Sequence, residues 1–534
     1  MKKILLTSAL LIIGSTLLVA QLKQGEFAVG GNGLEQGYAI VQSTDGGYVF
    51  TGYTQSYADT LNGAMYVCKL DATGKLAWTR TIDGKYGADG LALTQLNDKG
   101  FAVVGATTSF GDTAAEDIYI VKLDSAGNFK WSRTIGGPAD DRGNAVIQDK
   151  AGNIVICGYT SSYGLGYQNF YLIKLDMAGN LKWTRTVGGT RDDAAYGLAQ
   201  TTDGGYVMAG MATSYGDTLY GDLYVVKVDS SGNFKWGTTV GGAGADQGDA
   251  IAATKDGGCI ATGYTDSYGA GNSDVYVVKL DSLGKVKWTK VIGGKNAEYG
   301  NSVIQTNDGG YAVAGLTESF VDTLYQDTYF IKLDSAGNVE WTKAYGGNRY
   351  DESNSVVQTM DGGYALAGET DSFGAGSWDI YIIKTDSAGN SCSSSAAGGM
   401  ISSGGISFGG GVVDSGGAIT SIDSGRVGSG GIYTDVCSVI TSISEVGPDN
   451  GNISVYPNPS SALFTFKFGH PKLVSGSHIT VYNEVGEKVY DCVMLNQVRN
   501  DYQINLASCS AGIYFYRIIS DKGEPISSGK LVKE

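Results

Sequence analysis

The chain has 534 residues and carries 54 Asp and Glu against 38 Lys and Arg, a net charge of -16. That length suits one large domain and a smaller one. Nucleic-acid binders gather Lys and Arg into patches that neutralise phosphates, and no basic run exists here; this argues against nucleic acid and leaves neutral, basic or cationic partners.

Residues 1–20 read as a secretory signal peptide. Lys2 and Lys3 form a charged start, Ile4 to Val19 an apolar run too short to favour a membrane span, and Ala20 a cleavage position. Leu18 is larger than the usual residue at minus three, so the cut is left open. No other stretch is long and apolar enough to cross a bilayer, so no transmembrane span is expected in the mature protein. Seven cysteines are an odd number for an oxidising compartment. Cys68, Cys157 and Cys259 fall in predicted strands, where a thiol packs as a small hydrophobe. Cys392 and Cys437 flank a linker, and Cys492 and Cys509 lie in the tail, which leaves two bridges open: Cys392–Cys437 and Cys492–Cys509.

Residues 21–390 repeat. Trp78, Trp131, Trp183, Trp236, Trp288 and Trp341 recur at steps of 53, 52, 53, 52 and 53, and a Gly and a Lys keep the same beat through seven copies. The copy beginning at Gly294 predicts a strand over Ser302–Thr306, an Asn-Asp-Gly-Gly turn, and strands over Tyr311–Thr317 and Thr328–Leu333. Asp334–Asn338 then turns the chain into a fourth strand carrying Trp341. Asp-Gly and Gly-Asn supply the positive φ that tight hairpins need. Four strands in about 50 residues, with no helical period, predict a blade. The chain is therefore read as all-β, a seven-bladed β-propeller of four-stranded blades. The seventh copy stops at IIKTDSAGNSC without its Trp strand, while the mature N-terminus, KQGEFAVGG, matches the end of one. The N-terminal strand should complete the last blade and abolish the sheet edge. The fragment KLDSAGNFKW resembles the tryptophan-docking repeat of quinoprotein-type propellers, with a turn one residue shorter and seven blades rather than eight. The resemblance implies shared architecture, not quinone chemistry.

Residues 391–445 change to Ser and Gly with scattered Ile and Val, and read as a flexible low-complexity linker too poor in apolar residues for a core. A β-like stacking of its Gly-Gly steps is the alternative. Residues 446–534 carry Tyr456-Pro457-Asn458-Pro459, then Leu506 followed by Gly512 and Tyr514, then a terminal Gly529-Lys530. In this order and at the chain end they resemble the type A sorting domain of the type IX secretion system. That resemblance implies an immunoglobulin-like β-sandwich, handling by that secretion machinery, a Bacteroidota-type cell, and a product secreted or attached to the outer cell surface. It also implies removal of the tail near residues 438–452.

His470 and His478 are the only histidines and both lie in the tail, so the propeller offers no Ser-His-Asp set, zinc site or His base. The balance leans away from an enzyme. No cofactor is identified, with calcium left open. Two repeated rings stand on one face. Tyr57, Phe110, Tyr163, Tyr215, Tyr268, Phe320 and Phe373 follow the second strands. Glu35, Asp141, Asp193, Asp246, Glu298 and Asp351 follow the Trp strands, and the second copy departs with Ala88 and Asp89. Aromatics and carboxylates on a rim can stack on sugars, accept hydroxyl hydrogen bonds or hold a cation. Residues present in nearly every blade more often build the blade. Features that differ between blades are better ligand candidates: Tyr167, Asn272 and above all Trp378, the Trp outside the register. The repeated third-strand lysines are expected to pair with the acids preceding them, such as Asp117, Asp222, Asp274, Asp327 and Asp379, or to pack by their stems. The reading is an exported binding or adhesion module for a glycan or surface protein. An envelope scaffold without small ligand is the alternative, and a carboxylate hydrolase the third.

Overall fold

A computed structural model describes residues 24–392 except 59–61, 111–114, 217–219 and 321–324, seven short strands between 395 and 435, and parts of 453–533. The signal peptide and its cut lie outside these residues, as do the Asp-Thr-Leu loop tips of the longer blades. Among the described residues no helix is long and apolar enough to cross a membrane.

Blade 1 is built from β2 (Glu35–Gln42), β3 (Tyr48–Thr54), β4 (Ala64–Leu70) and β5 (Leu76–Asp83), paired antiparallel in that order. Blades 2 to 6 repeat it as β6–β9 (92–136), β10–β13 (141–188), β14–β17 (193–241), β18–β21 (246–293) and β22–β25 (298–345). Blade 7 has β26–β28 (351–385), and its fourth strand is β1 (Gly25–Gly30), paired with β28 from Gly25↔Lys384 to Val29↔Ile380. The expected N-terminal closure is thus present.

Period-2 alternation builds each blade, and the middle strands are buried on both faces because sheets stack on either side; Ala64–Leu70 is buried throughout. The apolar clusters accordingly lie between blades, as where Val155 and Cys157 of blade 3 meet Tyr206 and Met208 of blade 4. Cys68, Cys157 and Cys259 are buried free thiols, and burial pushes each up. Each of the six in-register Trp residues packs against the turn glycine of the next blade. At Gly127, φ is 77° and an added Cβ would lie 2.9 Å from the Trp78 ring, so both conformation and space demand glycine.

The Ser/Gly-rich stretch departs from the expectation of a flexible linker. Its strands β29 (Ser395–Ala396), β30 (Met400–Ser402), β31 (Ile406–Gly409), β32 (Val412–Asp414), β33 (Ala418–Ser421), β34 (Arg426–Gly428) and β35 (Ile432–Asp435) each add a fifth, outermost strand to a blade. They visit blades 6, 5, 4, 3, 2, 1 and 7 in turn. Backbone amides suffice for such pairing, so a segment unable to form its own core still finds an ordered place. Cys392, at its start, is disulfide-bonded, while Cys437 lies outside the described residues. Cys509 is a free thiol, which overturns the Cys492–Cys509 bridge.

The C-terminal unit begins at Cys437. It has a three-stranded sheet, β36 (Ile453–Tyr456), β37 (Leu463–Phe468) and β40 (Tyr502–Asn505), and a four-stranded one. The latter runs β39 (Lys488–Val493), β38 (His478–Asn483), β41 (Gly512–Ile519), β42 (Pro525–Lys533). Phe464, Phe466, Ile479, Val481, Tyr516 and Leu531 form its core.

Candidate functional site

The two repeated rings are fasteners. Glu35, Asp141, Asp193, Asp246, Glu298 and Asp351 are all fully buried. Each accepts the amide hydrogen of the residue four positions earlier, from Gly31 to Glu35 at 2.6 Å through Gly347 to Asp351 at 2.8 Å. The Ser162, Ser267 and Ser372 hydroxyls add donors to Asp141, Asp246 and Asp351. Burial still raises Asp141, Asp193 and Asp246 above the usual carboxylate range, and carries Asp351 to about 6. In blade 2 the aligned Ala88 is buried and Asp89 instead pairs with Arg142 of blade 3.

The aromatics Tyr57, Phe110, Tyr163, Tyr215, Tyr268, Phe320 and Phe373 are half-buried, each against a third-strand tyrosine such as Tyr66, Tyr119 or Tyr171. The hydroxyls of Tyr57, Tyr163, Tyr215 and Tyr268 donate to the carbonyls of Gly30, Gly136, Gly188 and Gly241, each on the preceding blade, at 2.6–2.9 Å. The third-strand lysines pair with hairpin-turn aspartates, not with the acids expected from sequence. Lys174 meets Asp149, Lys279 meets Asp256 and Lys384 meets Asp361. The expected partners open the third strands, where Asp274 and Asp379 cap local amides through Oδ2, while the lysines sit near the strands' other end.

The blade-specific residues behave differently. Trp378 is half-buried, and its carbonyl accepts from the Glu35 amide at 2.9 Å, which fixes the backbone between blades 7 and 1. Its ring stacks on Tyr350, with centroids 5.8 Å apart, and Tyr350 meets Tyr325 edge to face at 4.8 Å. Tyr325 and Tyr350 are 40% and 39% exposed, so a platform of three rings from blades 6 and 7 reaches solvent. Tyr167 and Asn272 are exposed singly on blades 3 and 5.

Polar groups flank the platform. Gln326, next to Tyr325, donates to Glu352 at 2.9 Å. Glu352 and Glu369 are directly opposite on neighbouring strands of blade 7. Burial, then the adjacent Glu352 charge, pushes the Glu369 carboxyl up to about 8, against the opposing contact of Gln36. Glu369 is 7% exposed, and among the described residues its Oε2 has no hydrogen-bond partner. Tyr38 donates to Gln36 at 2.8 Å. Between blades 2 and 3 Arg142 reaches Asp89 at 2.5 Å and Glu116 at 3.1 Å.

The first strands of the seven blades converge on one cavity. A bulge in those of blades 1, 3, 4, 5, 6 and 7 frees Tyr38, Asn144, Tyr196, Asp249, Asn301 and Asn354 from the ladder, and with Leu91 they line an axial cavity of about 460 Å³. Asn144, Asn301 and Asn354 spend their amides on the next blade's carbonyls. Asp249 accepts from Gln247 at 2.6 Å, and burial raises it to about 6. Sequence reasoning missed this axial set and the Glu352–Glu369 pair. The available signal was disagreement between copies: Glu369 stands where other blades carry Tyr53, Ala106, Tyr159, Met211, Tyr264 and Leu316.

In the C-terminal unit Tyr514 is buried and its hydroxyl donates to the Ser510 carbonyl at 2.6 Å. Tyr456 lies on β36, while Pro457, Asn458 and Pro459 fall outside the described residues. Gly512 begins β41, and Gly529 and Lys530 pair with Tyr516 and Phe515 across β41 and β42. Residues 454–534 match the family described as secretion system C-terminal sorting domain. The tail is a type IX secretion sorting domain. The sorting domain marks the chain for the type IX machinery, for secretion and for attachment to the outer cell surface. The regulatory protein FlaEY of Caulobacter vibrioides is 26% identical over 140 residues, 22% of this chain, and the match spans only 15% of that protein. A fungal alcohol oxidase solved with copper aligns at 13% identity over 96% of this chain and 99% of its own, TM-score 0.44. PorZ, a surface component of the type IX secretion system of Porphyromonas gingivalis, aligns at 11% identity over 92% and 58%, TM-score 0.36.

Proposed function

We propose that the exported propeller is a cell-surface binding module whose ligand is a glycan held on the rim of blades 6, 7 and 1. The observation that carries this reading is the Tyr325–Tyr350–Trp378 platform beside Gln326, Glu352, Glu369 and Gln36. Sugar rings offer apolar C–H faces that stack on aromatics, and hydroxyls that need acceptors and amides at their edges. The repeated acids and hydroxyls, by contrast, are consumed in tying blades together. Calcium at this rim is part of the proposal. Its test is a glycan array probed with the full chain, with calcium and then with chelator. Binding weakened by Trp378→Ala supports the reading; silence in both conditions sinks it and leaves the envelope scaffold.

A carboxylate hydrolase is the second reading, favoured by the Glu352–Glu369 pair on adjacent strands, one member of which holds its proton at neutral pH. Release of reducing sugar from an array-positive glycan, lost in Glu352→Gln, would establish it; binding without turnover would exclude it.

A further inference from the structure

We propose that strands β29–β35 are a clasp that holds the propeller ring shut by pinning its N-terminal strand from outside. The ring has one weak seam. Six blades are continuous in sequence, but blade 7 borrows β1, whose Glu26 meets Tyr381 across 355 residues. Closing so long a loop carries the largest entropic cost in the ring. β28 holds β1 through only five register pairs, Gly25 to Val29. β35 adds four on the opposite edge, Phe27↔Asp435 to Gly30↔Ile432, so β1 opens only if both neighbours let go.

The route of the strap makes β35 the last link. Positions opposite the same point of successive blades are Ile401, Ser407, Val413, Ile419, Val427 and Tyr433, facing Ile292, Val240, Val187, Ile135, Ile82 and Val29. The steps are 6, 6, 6, 8 and 6 residues. Six extended residues span about 20 Å at most. Every strap strand pairs with the fourth strand of an already complete blade, and the walk ends on the strand that closes the ring. Along the way the strap covers each outer edge with a strand of two to four residues, too short to template another chain.

The test is amide hydrogen exchange on the full-length chain. Tyr433→Pro/Thr434→Pro removes whichever of two consecutive N–H groups faces β1. Met400→Pro/Ile401→Pro is the same lesion on blade 5. The first should speed exchange of residues 27–30 and 380–384 at least tenfold; the second should speed only residues 291–293. Unchanged exchange of β1 in the first variant, or equal acceleration of β1 in both, overturns the clasp. Should a variant fail to fold, the unmodified chain in rising denaturant gives the same answer. β35 and β1 should lose protection together, below global unfolding, and β1 protected after β35 has opened would overturn the proposal.

Discussion

Lys174 and Asp149 form a buried ion pair at 2.8 Å, with side chains 9% and 1% exposed. Burial alone would raise Asp149, but Lys174, Asn153 and Tyr206 donate to it and hold it at about 2. Its stabilisation is present above the unfolded carboxylate pKa, ~3.9, and is lost as pH falls through about 2. Asp149→Ala strands a buried ammonium and should cost ~3–5 kcal/mol. Lys235→Ala removes the half-exposed partner of Asp229 and should cost about 1 kcal/mol or less. Denaturant unfolding of the two variants measures both.

Blade junctions should be weakened one hydroxyl at a time. Tyr163→Phe deletes the 2.8 Å bond to the Gly136 carbonyl of blade 2 and should cost about 1 kcal/mol in the same assay. Phe320→Tyr places a hydroxyl in a ring position that four other blades already use as a tie, and should be neutral to stabilising.

The acid pair predicts a pH dependence of definite sign. Glu369 rises from 4.5 to about 8, so its contribution to stability is complete below pH 4.5 and is lost as pH rises through about 8. Glu369→Gln should flatten that decline and melt higher than the unmodified chain at pH 9. Glu352→Gln should move the decline to lower pH. A melting profile of Glu369→Gln parallel to that of the unmodified chain would contradict the assignment.

The repeat was legible because each copy must supply the same strands, turns and Trp–Gly contact; Gly127 against Trp78 is one beat of that constraint. Ring closure was legible because the missing Trp strand and the orphan KQGEFAVGG complement each other. The strap was not. Pairing through backbone alone leaves little mark on side chains, and Ser/Gly composition reads as slack. Lys384 was paired wrongly at the sequence level because its partner Asp361 lies 23 residues back, while Asp379 is near in sequence and far along the strand. Trp378 stood out because it breaks the register. The Glu352–Glu369 pair breaks it too, but one odd residue among seven varied ones is a faint signal.

The most direct measurement is the affinity of an array-positive glycan for the full chain against Trp378→Ala, with the fold of both checked by thermal melting. Losing one stacking ring should weaken binding about tenfold, ~1.4 kcal/mol, with the melting temperature little changed. Equal affinity for both chains would contradict a binding rim on blades 6, 7 and 1.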